Sequence, residues 1–246
     1  DARRHREMTA RLGFDAKTQV QDPLFNTVGN TGTAFVLMML ASALEEAKPG
    51  DRILLASYGD GADAFALRVT EEIKNLGARR GIKGCLKSKK ILSDYLTYAK
   101  WRGLIDIAPA VRRPPLDPPS PIAMYREGAQ NIRLYGVKCN KCGYQQYPPQ
   151  RVCTRCHTKD EFTPVRFSDQ KATLYTYSAD YLGATLDPPL VICFINFESG
   201  GRMSCVMTDR IVEEVSIGMP LEMSFRKLHT VAGIHNYYWK CIPVRA

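Results

Sequence analysis

Residues 134–156 read LYGVKCNKCGYQQYPPQRVCTRC, with two C-x2-C pairs, Cys139/Cys142 and Cys153/Cys156, separated by 10 residues. A C-x2-C turn offers two thiolates from one knuckle. Two such knuckles complete the tetrahedral set that zinc takes in structural sites, with no position left open for water or substrate. The spacing therefore predicts a structural zinc held by Cys139, Cys142, Cys153 and Cys156. Gly143 supplies the tight backbone turn behind the first knuckle. Cys153-Thr-Arg-Cys156-His157 also has the form of a c-type haem attachment motif. Haem attachment needs export, yet the chain opens on the polar DARRHREM, and the other knuckle would be left idle. A disulfide pairing is disfavoured on the same compartment argument. Cys85, Cys193, Cys205 and Cys241 are scattered and expected to be buried free thiols. Cys193 and Cys205 flank the turn Glu198–Gly201 almost symmetrically, which predicts that they lie close together.

Downstream, residues 172–246 alternate strand-like runs with turns: ATLYTYSADYL, LVICFINF, RMSCVMT, PLEMSFRKL and HNYYWKCIPV. A short helix is expected over Asp209 to Glu214. Five short strands with a helix between the third and fourth is the order of an OB barrel. Tyr175, Tyr177 and Tyr181 could stack bases. Their alternation is read instead as one face of the barrel core. Residues 165–246 carry 8 basic and 8 acidic residues, whereas a groove that tracks a nucleic-acid strand should be basic. Nucleic acid is therefore not the expected partner. His229 and His235 are read as ordinary strand-end residues.

Upstream, APAVRRPPLDPPSP (108–121) holds six prolines and reads as an extended linker. Ser88 to Arg102 has the apolar spacing of an amphipathic helix. Nearer the start, Arg3 to Leu12 predicts a short helix. Thr31 is read as the cap of an apolar helix from Ala34 to Leu44, and Lys48-Pro49-Gly50 stops it. Asp51 to Tyr58 and Ala62 to Val69 read as two strands about the turn Gly59-Asp60-Gly61. The loop–helix–strand–strand order indicates a layered α/β unit. About 70 residues cannot cover both faces of such a sheet, so the unit reads as incomplete.

The 246 residues predict one to two domains of ~150 residues and a core large enough to fold without staples. At 45% hydrophobic and 24% charged, the composition excludes a mainly disordered, collagenous or disulfide-scaffold chain. The longest apolar run, Ala34 to Leu44, is far short of the ~20 residues of a membrane span, and no membrane role is expected. The first residue is not Met, which leaves room for a longer polypeptide with this chain at its back. The net charge is +9, and residues 74–115 alone carry 11 basic groups against Asp94 and Asp106. Such a field favours an anionic partner; a solvated helix face with a basic linker explains it equally.

The stretch VGNTGTAFVLMMLASALEEAKPGDRILLASYGDGADAF, residues 28–65, resembles the C-terminal end of the thiolase superfamily. Hydroxymethylglutaryl-CoA synthase and ketoacyl-ACP synthase III are its nearest likenesses there. In those enzymes a GN-T/S loop supplies the active-site Asn, and a (F/Y)G-x-G turn follows the next strand. The resemblance implies that Asn30, in a loop opened by Gly29, is catalytic. It implies that the Asp60 backbone N–H, between Gly59 and Gly61, contributes to an oxyanion hole. The family's nucleophilic Cys and its H-x-P element have no counterpart here; neither His5 nor Cys85 matches them. Residues 131–246 resemble the rubredoxin-like zinc ribbon and OB unit that accompanies thiolase-like enzymes, through the ribbon and IVEEVSIGMPLEMSF.

Together these readings predict an α/β, partial thiolase-like unit over residues 1–105 and a Pro-rich linker over 106–130. A zinc ribbon over 131–164 and an all-β OB barrel over 165–246 follow. The resemblance implies Claisen-type chemistry on acyl-CoA thioesters and a thiolase-fold partner half or subunit; an oligomer is expected, and the polar start and free thiols predict a cytoplasmic protein. The chain by itself is expected to be inactive. The alternatives are a non-catalytic acyl-CoA-binding or scaffold subunit and a nucleic-acid-binding ribbon–OB protein.

Overall fold

A computed structural model describes residues 2–77, 79–106, 118–183 and 185–244. The chain divides into two compact units, Asp1–Lys89 and Lys90–Ala246. The division falls earlier than the expected boundary at 105, and packing explains it. Lys90 Nζ donates to the Arg210 carbonyl at 2.7 Å, and Trp101 Nε1 donates to the Leu186 carbonyl at 2.9 Å. Residues 90–106 are thereby fastened to the second unit.

In the first unit α1 spans Ala2–Arg11, and a 3-10 turn at Gly32–Ala34 leads into α2, Phe35–Leu44. Thr31 does not cap that helix; its hydroxyl reaches Met38 Sδ at 3.4 Å instead, because the 3-10 turn has already re-aimed the chain. Antiparallel strands β1 (Arg52–Tyr58) and β2 (Ala62–Arg68) form a two-stranded sheet. α3, Gly81–Lys87, receives Glu45 at its first turn: Oε2 accepts from Lys83 N at 3.2 Å and Oε1 from Ile82 N. A carboxylate there meets unpaired N–H groups and the positive end of the helix dipole.

Although apolar nearly all round, α2 is not buried. Among the described residues of this unit, Ser42 and Val69 are buried, while Leu37 is 67% exposed. Leu54, Phe65, Leu67 and Tyr58 are exposed as well. Two strands pair all seven register positions yet leave both sheet faces short of cover. The apolar helix has too little sheet to pack on. The incompleteness expected from length is therefore visible as bare apolar surface.

In the second unit α4 spans Tyr95–Arg102, shorter than the helix expected from Ser88. Asp94 is the reason: its Oδ1 accepts from Thr97 N at 2.7 Å and starts the helix there, and Gly103, at φ 68°, ends it. Residues 107–117 of the expected linker lie outside the described residues. Its C-terminal part is helical, not extended. α5 runs Pro121–Asn131, capped by Ser120, with Pro at the first helical turn, where a missing N–H costs nothing.

Strands β3 (Tyr135–Cys139), β4 (Gln145–Gln146) and β5 (Phe162–Arg166) form the ribbon in the order β4-β3-β5. The barrel strands are β6 (Ala172–Asp180), β7 (Leu190–Phe197), β8 (Arg202–Val206), β9 (Pro220–Val231) and β10 (Ile234–Pro243). Their order is β10-β9-β6-β7-β8, and a parallel bridge between Met207 and Cys241 brings the ends together. A 3-10 turn, Val212–Glu214, replaces the short helix expected before β9.

Ribbon and barrel share one core. Leu134, Tyr147 and Phe167 belong to the same buried cluster as Leu174, Ile195 and Leu221. Tyr147, Phe167 and Phe197 pack ring to ring at 4.9–6.1 Å. The tyrosines do not form one core face as expected: Tyr177 pairs with buried Cys193 and its hydroxyl donates to the Val215 carbonyl at 3.1 Å, while Tyr175 lies on the outer side. Ala172 and Leu174 face the core, while Tyr175, Tyr177 and Tyr181 are 50%, 37% and 71% exposed. A bulge between Leu174 and Thr176 leaves Tyr175 without a partner on β7. Beyond it the alternation is shifted, so that Tyr177 and Ala179 stand opposite the buried Cys193 and Val191.

Candidate metal centre and the Asn30 and Asp60 loops

The two knuckles bring the Sγ atoms of Cys139, Cys142, Cys153 and Cys156 within 4.8 Å of one another. Cys139 and Cys156 are 3.6 Å apart, as are Cys142 and Cys153. Four sulfurs ~2.3 Å from a common centre stand ~3.8 Å apart in a tetrahedron, so this donor set fits zinc.

Each knuckle is closed by the backbone. Cys139 N donates to the Tyr144 carbonyl at 2.9 Å, and Cys153 N donates to the Thr158 carbonyl at 2.9 Å. The Tyr144 N–H favours the Cys142 thiolate, but desolvation and hydrogen bonds to Cys156, Cys153 and Cys139 push that thiol up to about 11. Cys156 moves the other way, down to about 6, through the Thr158 hydroxyl and backbone N–H. Crowded thiolates cannot all ionise without a cation between them. A divalent metal resolves that conflict.

Gln146, which the spacing gave no reason to single out, braces the site. It is buried; its Nε2 donates to the Val152 carbonyl at 3.2 Å, and its Oε1 accepts from Thr154 N at 3.2 Å. It thereby fixes the strand after the first knuckle to the start of the second. Arg151 clamps Asp160 through two 2.7 Å hydrogen bonds across the loop that carries the second knuckle.

Among the remaining cysteines, Cys85 is exposed on α3, against expectation; of the described residues of the first unit only Ser42 and Val69 are buried. Cys193 and Cys205 are direct cross-strand partners on β7 and β8, as their placement about the turn predicts. Cys241, unremarkable in sequence, joins them from β10. Hydrogen bonds to Cys193 and Cys205, with burial, push its thiol up. All three are buried in the barrel.

In the first unit Gly29, at φ 75°, turns the chain into Asn30. The Asn30 Oδ1 accepts from Gly32 N at 2.9 Å. Its Nδ2 has no partner among the described residues, and the residue is exposed. Asp60 sits at the tip of the β1–β2 turn, where Gly59 N donates to the Gly61 carbonyl at 2.8 Å. No hydrogen bond joins the Asn30 and Asp60 loops among the described residues. His235 Nδ1 pairs with Thr230 Oγ1 at 2.9 Å across the β9–β10 end, and His229 lies on β9. No described helix is long and apolar enough to cross a membrane.

A four-thiolate ribbon packed into a five-stranded barrel and preceded by an unfinished α/β unit defines a zinc-ribbon–OB protein with an N-terminal α/β segment. Residues 1–70 match the family described as 3-oxoacyl-[acyl-carrier-protein] synthase III C terminal. Residues 126–161 match the ChsH2 rubredoxin-like zinc ribbon domain, and residues 165–226 match the ChsH2 C-terminal OB-fold domain. A DUF35 domain-containing scaffold protein of Methanocaldococcus jannaschii is 30% identical over 128 residues, covering 50% of this chain and 90% of that protein. The chain belongs to the DUF35 family.

The hydroxymethylglutaryl-CoA synthase of Methanosphaera stadtmanae is 39% identical over 97 residues, 39% of this chain and 28% of the synthase. That of Methanosarcina barkeri is 40% identical over 97 residues, 38% of this chain and again 28% of the synthase. The chain thus spans less than a third of the length of these synthases. A solved Ltp2-ChsH2(DUF35) aldolase is 18% identical with a TM-score of 0.39, over 53% of this chain and 98% of that one.

Proposed function

We propose that the chain is the C-terminal part of a hydroxymethylglutaryl-CoA synthase-like acyltransferase. It would act on acyl-CoA thioesters by Claisen-type carbon–carbon bond formation or cleavage. The ribbon–barrel unit would serve acyl-CoA handling or assembly. One observation carries this reading: the bare hairpin β1–β2 and its half-covered helix α2 fall in the stretch similar to the synthases, of which the chain spans 28%. A thiolase-fold half supplying the missing layers, the nucleophilic Cys and the His would complete both the sheet and the site.

In that assembly the Asn30 amide donates to a thioester carbonyl and polarises it as charge builds on the oxygen. Gly32 N–H already holds the Asn30 Oδ1 and so orients the amide. The Asp60 N–H donates to the oxyanion on the acyl-Cys side. Donors aimed at developing charge in a dry site are worth ~3 kcal/mol each. The four-cysteine zinc takes no part in the chemistry, because its ligand set leaves no open position.

A second reading rests on the M. jannaschii relative, described as a scaffold protein and covered over 90% of its length. There the chain binds or positions without reacting. The test is to express the chain in frame with the coding sequence upstream of Asp1 and assay condensation and cleavage of acyl-CoA. The acyltransferase reading expects turnover, and a loss of ~10²–10³ in rate for Asn30→Ala at unchanged melting temperature. An assembly that binds a thiolase-fold partner but gives the same rate with Asn30→Ala supports the scaffold reading and overturns the catalytic one.

A further inference from the structure

Where the ribbon meets the barrel there is a cleft of about 420 Å3, a size suited to a small organic ligand. Tyr144, Gln146 and Thr154 line it from the ribbon; Asn196, Phe197 and Arg202 line it from the barrel. No Asp or Glu is among its lining residues. Its charge is therefore that of one arginine, surrounded by amide and hydroxyl groups that can donate.

Arg202 is held from two sides. Its guanidinium carbon lies 3.7 Å from the centroid of the Tyr175 ring, and its Nε donates to Asn196 Oδ1 at 2.8 Å. Tyr175, on the outer face of β6 and unpaired at the bulge, makes the first contact available. The cross-strand pairing of Asn196 with Arg202 makes the second. The two terminal nitrogens of Arg202 have no hydrogen-bond partner among the described residues. A guanidinium held flat by an aromatic face and oriented through Nε presents those nitrogens as a ready fork. Such a fork suits a two-oxygen anion, and little freedom is lost when one binds. With its Oδ1 occupied by Arg202, Asn196 keeps its amide N–H groups as further donors.

Pro148 and the edge of Phe197 add apolar surface along which a stem would lie, in a lining that is otherwise mostly polar. Gly201 keeps the wall thin: a Cβ there would stand 2.6 Å from Tyr147 N.

We propose that this cleft binds an organic oxyanion on a short aliphatic stem, with the Arg202 fork on the anion and Asn196 as an added donor. The anion's shared chemistry is that of a carboxylate or a phosphate monoester.

The test is calorimetric titration of the full zinc-loaded chain with sodium hexanoate and with butyl phosphate, at matched ionic strength. At least one probe is expected to bind saturably, one per chain, and the stronger of the two identifies the anion. Arg202→Gln should weaken it by about tenfold or more, and Arg202→Lys by nearly as much, because charge remains but the fork is lost. Tyr175→Leu, which keeps the charge, should weaken it several-fold. Lys141→Gln, an equal charge change outside the cleft lining, should leave it unaltered. Circular dichroism and zinc content establish that each variant is folded. Absence of saturable binding by both probes, or equal binding by folded Arg202→Gln, overturns the proposal.

Discussion

Gly143 and His157 occupy the same position in the two zinc knuckles. Each follows the second cysteine of its pair, and each has a left-handed backbone, φ 73° and 58°. Each donates its N–H to the carbonyl of the first cysteine, at 2.9 and 3.0 Å. The histidine that gives CTRCH its haem-like form is thus a turn residue standing where the other knuckle uses glycine.

The pair should respond to substitution with opposite signs. His157→Gly relieves a side chain from a backbone region that disfavours it and should stabilise the zinc-loaded protein by about 0.5–1 kcal/mol. Gly143→Ala meets nothing closer than Lys138 Cε at 4.0 Å, so its cost is conformational alone, about 1 kcal/mol. Thermal melts of the two variants decide it. A His157→Gly variant that loses metal or melts earlier would contradict the turn assignment.

Purified protein should hold one zinc per chain. Cys142→Ser or Cys153→Ser should release it, and the near-ultraviolet signal of Tyr147, Phe167 and Phe197 should fall with it, because knuckle and barrel share a core. Elemental analysis finding iron, haem iron or no metal in native protein would sink the zinc assignment.

Gly201→Ala should cost about 1–3 kcal/mol in denaturant unfolding. The backbone is left-handed at φ 87°, and the added carbon would meet Tyr147 N and, at 3.3 Å, Gln146 C. Gly218→Ala is the control: φ is also 87°, but nothing lies within 4 Å. Equal losses at both sites would show that the close approach adds nothing to the backbone cost.

Asp94 should make α4 sensitive to acid. Its carboxyl is held below the usual range by the Thr97 backbone N–H and then the Thr97 hydroxyl. A lowered folded value means that the stabilisation is present above the unfolded value, ~3.9, and is lost as pH falls through the folded one. Trp101 in α4 should therefore lose its indole contact to Leu186 below about pH 4, seen in its fluorescence. Asp94→Asn, which still caps but cannot titrate, should remove that acid-dependent step. A step of equal size in the variant would assign it to another group.

The isolated chain should form no acyl-enzyme when mixed with acyl-CoA, since Cys85 is an exposed helix residue with no resolved catalytic partner. Intact-protein mass spectrometry checks this directly. A stable acyl adduct on Cys85 accompanied by turnover would require a different nucleophile assignment.

The zinc ligands were legible because ligand number and spacing are written locally. The five barrel strands were legible because one face of each alternates. What escaped depends on single contacts that periodicity does not record. The bulge beside Leu174 broke the alternation that would have put the tyrosines on one face, Asp94 started α4 seven residues after Ser88, which opened the expected helix, and Ser120-Pro121 turned the end of a proline-rich stretch into a helix. Cys241 lies 36 residues from Cys205, so its arrival beside Cys193 is a property of barrel closure. Gln146 carried no signal beyond its place between the knuckles, whereas His157 could have been read from its match to Gly143.

The bridge from Met207 to Cys241 has a temporal consequence. The partner of β8 across the seam is β10, which is synthesised after the other described strands. Until residues 234–243 leave the ribosome, β8 and β9 expose unpaired edges, and the pocket that will seal Cys193 and Cys205 stands open. The ribbon precedes them and can capture its metal first, offering Tyr147 and Phe167 as a platform for the strands that follow. Synthesis halted before residue 234 should thus yield a metal-loaded but aggregation-prone nascent chain, and release of β10 would be the event that commits the barrel.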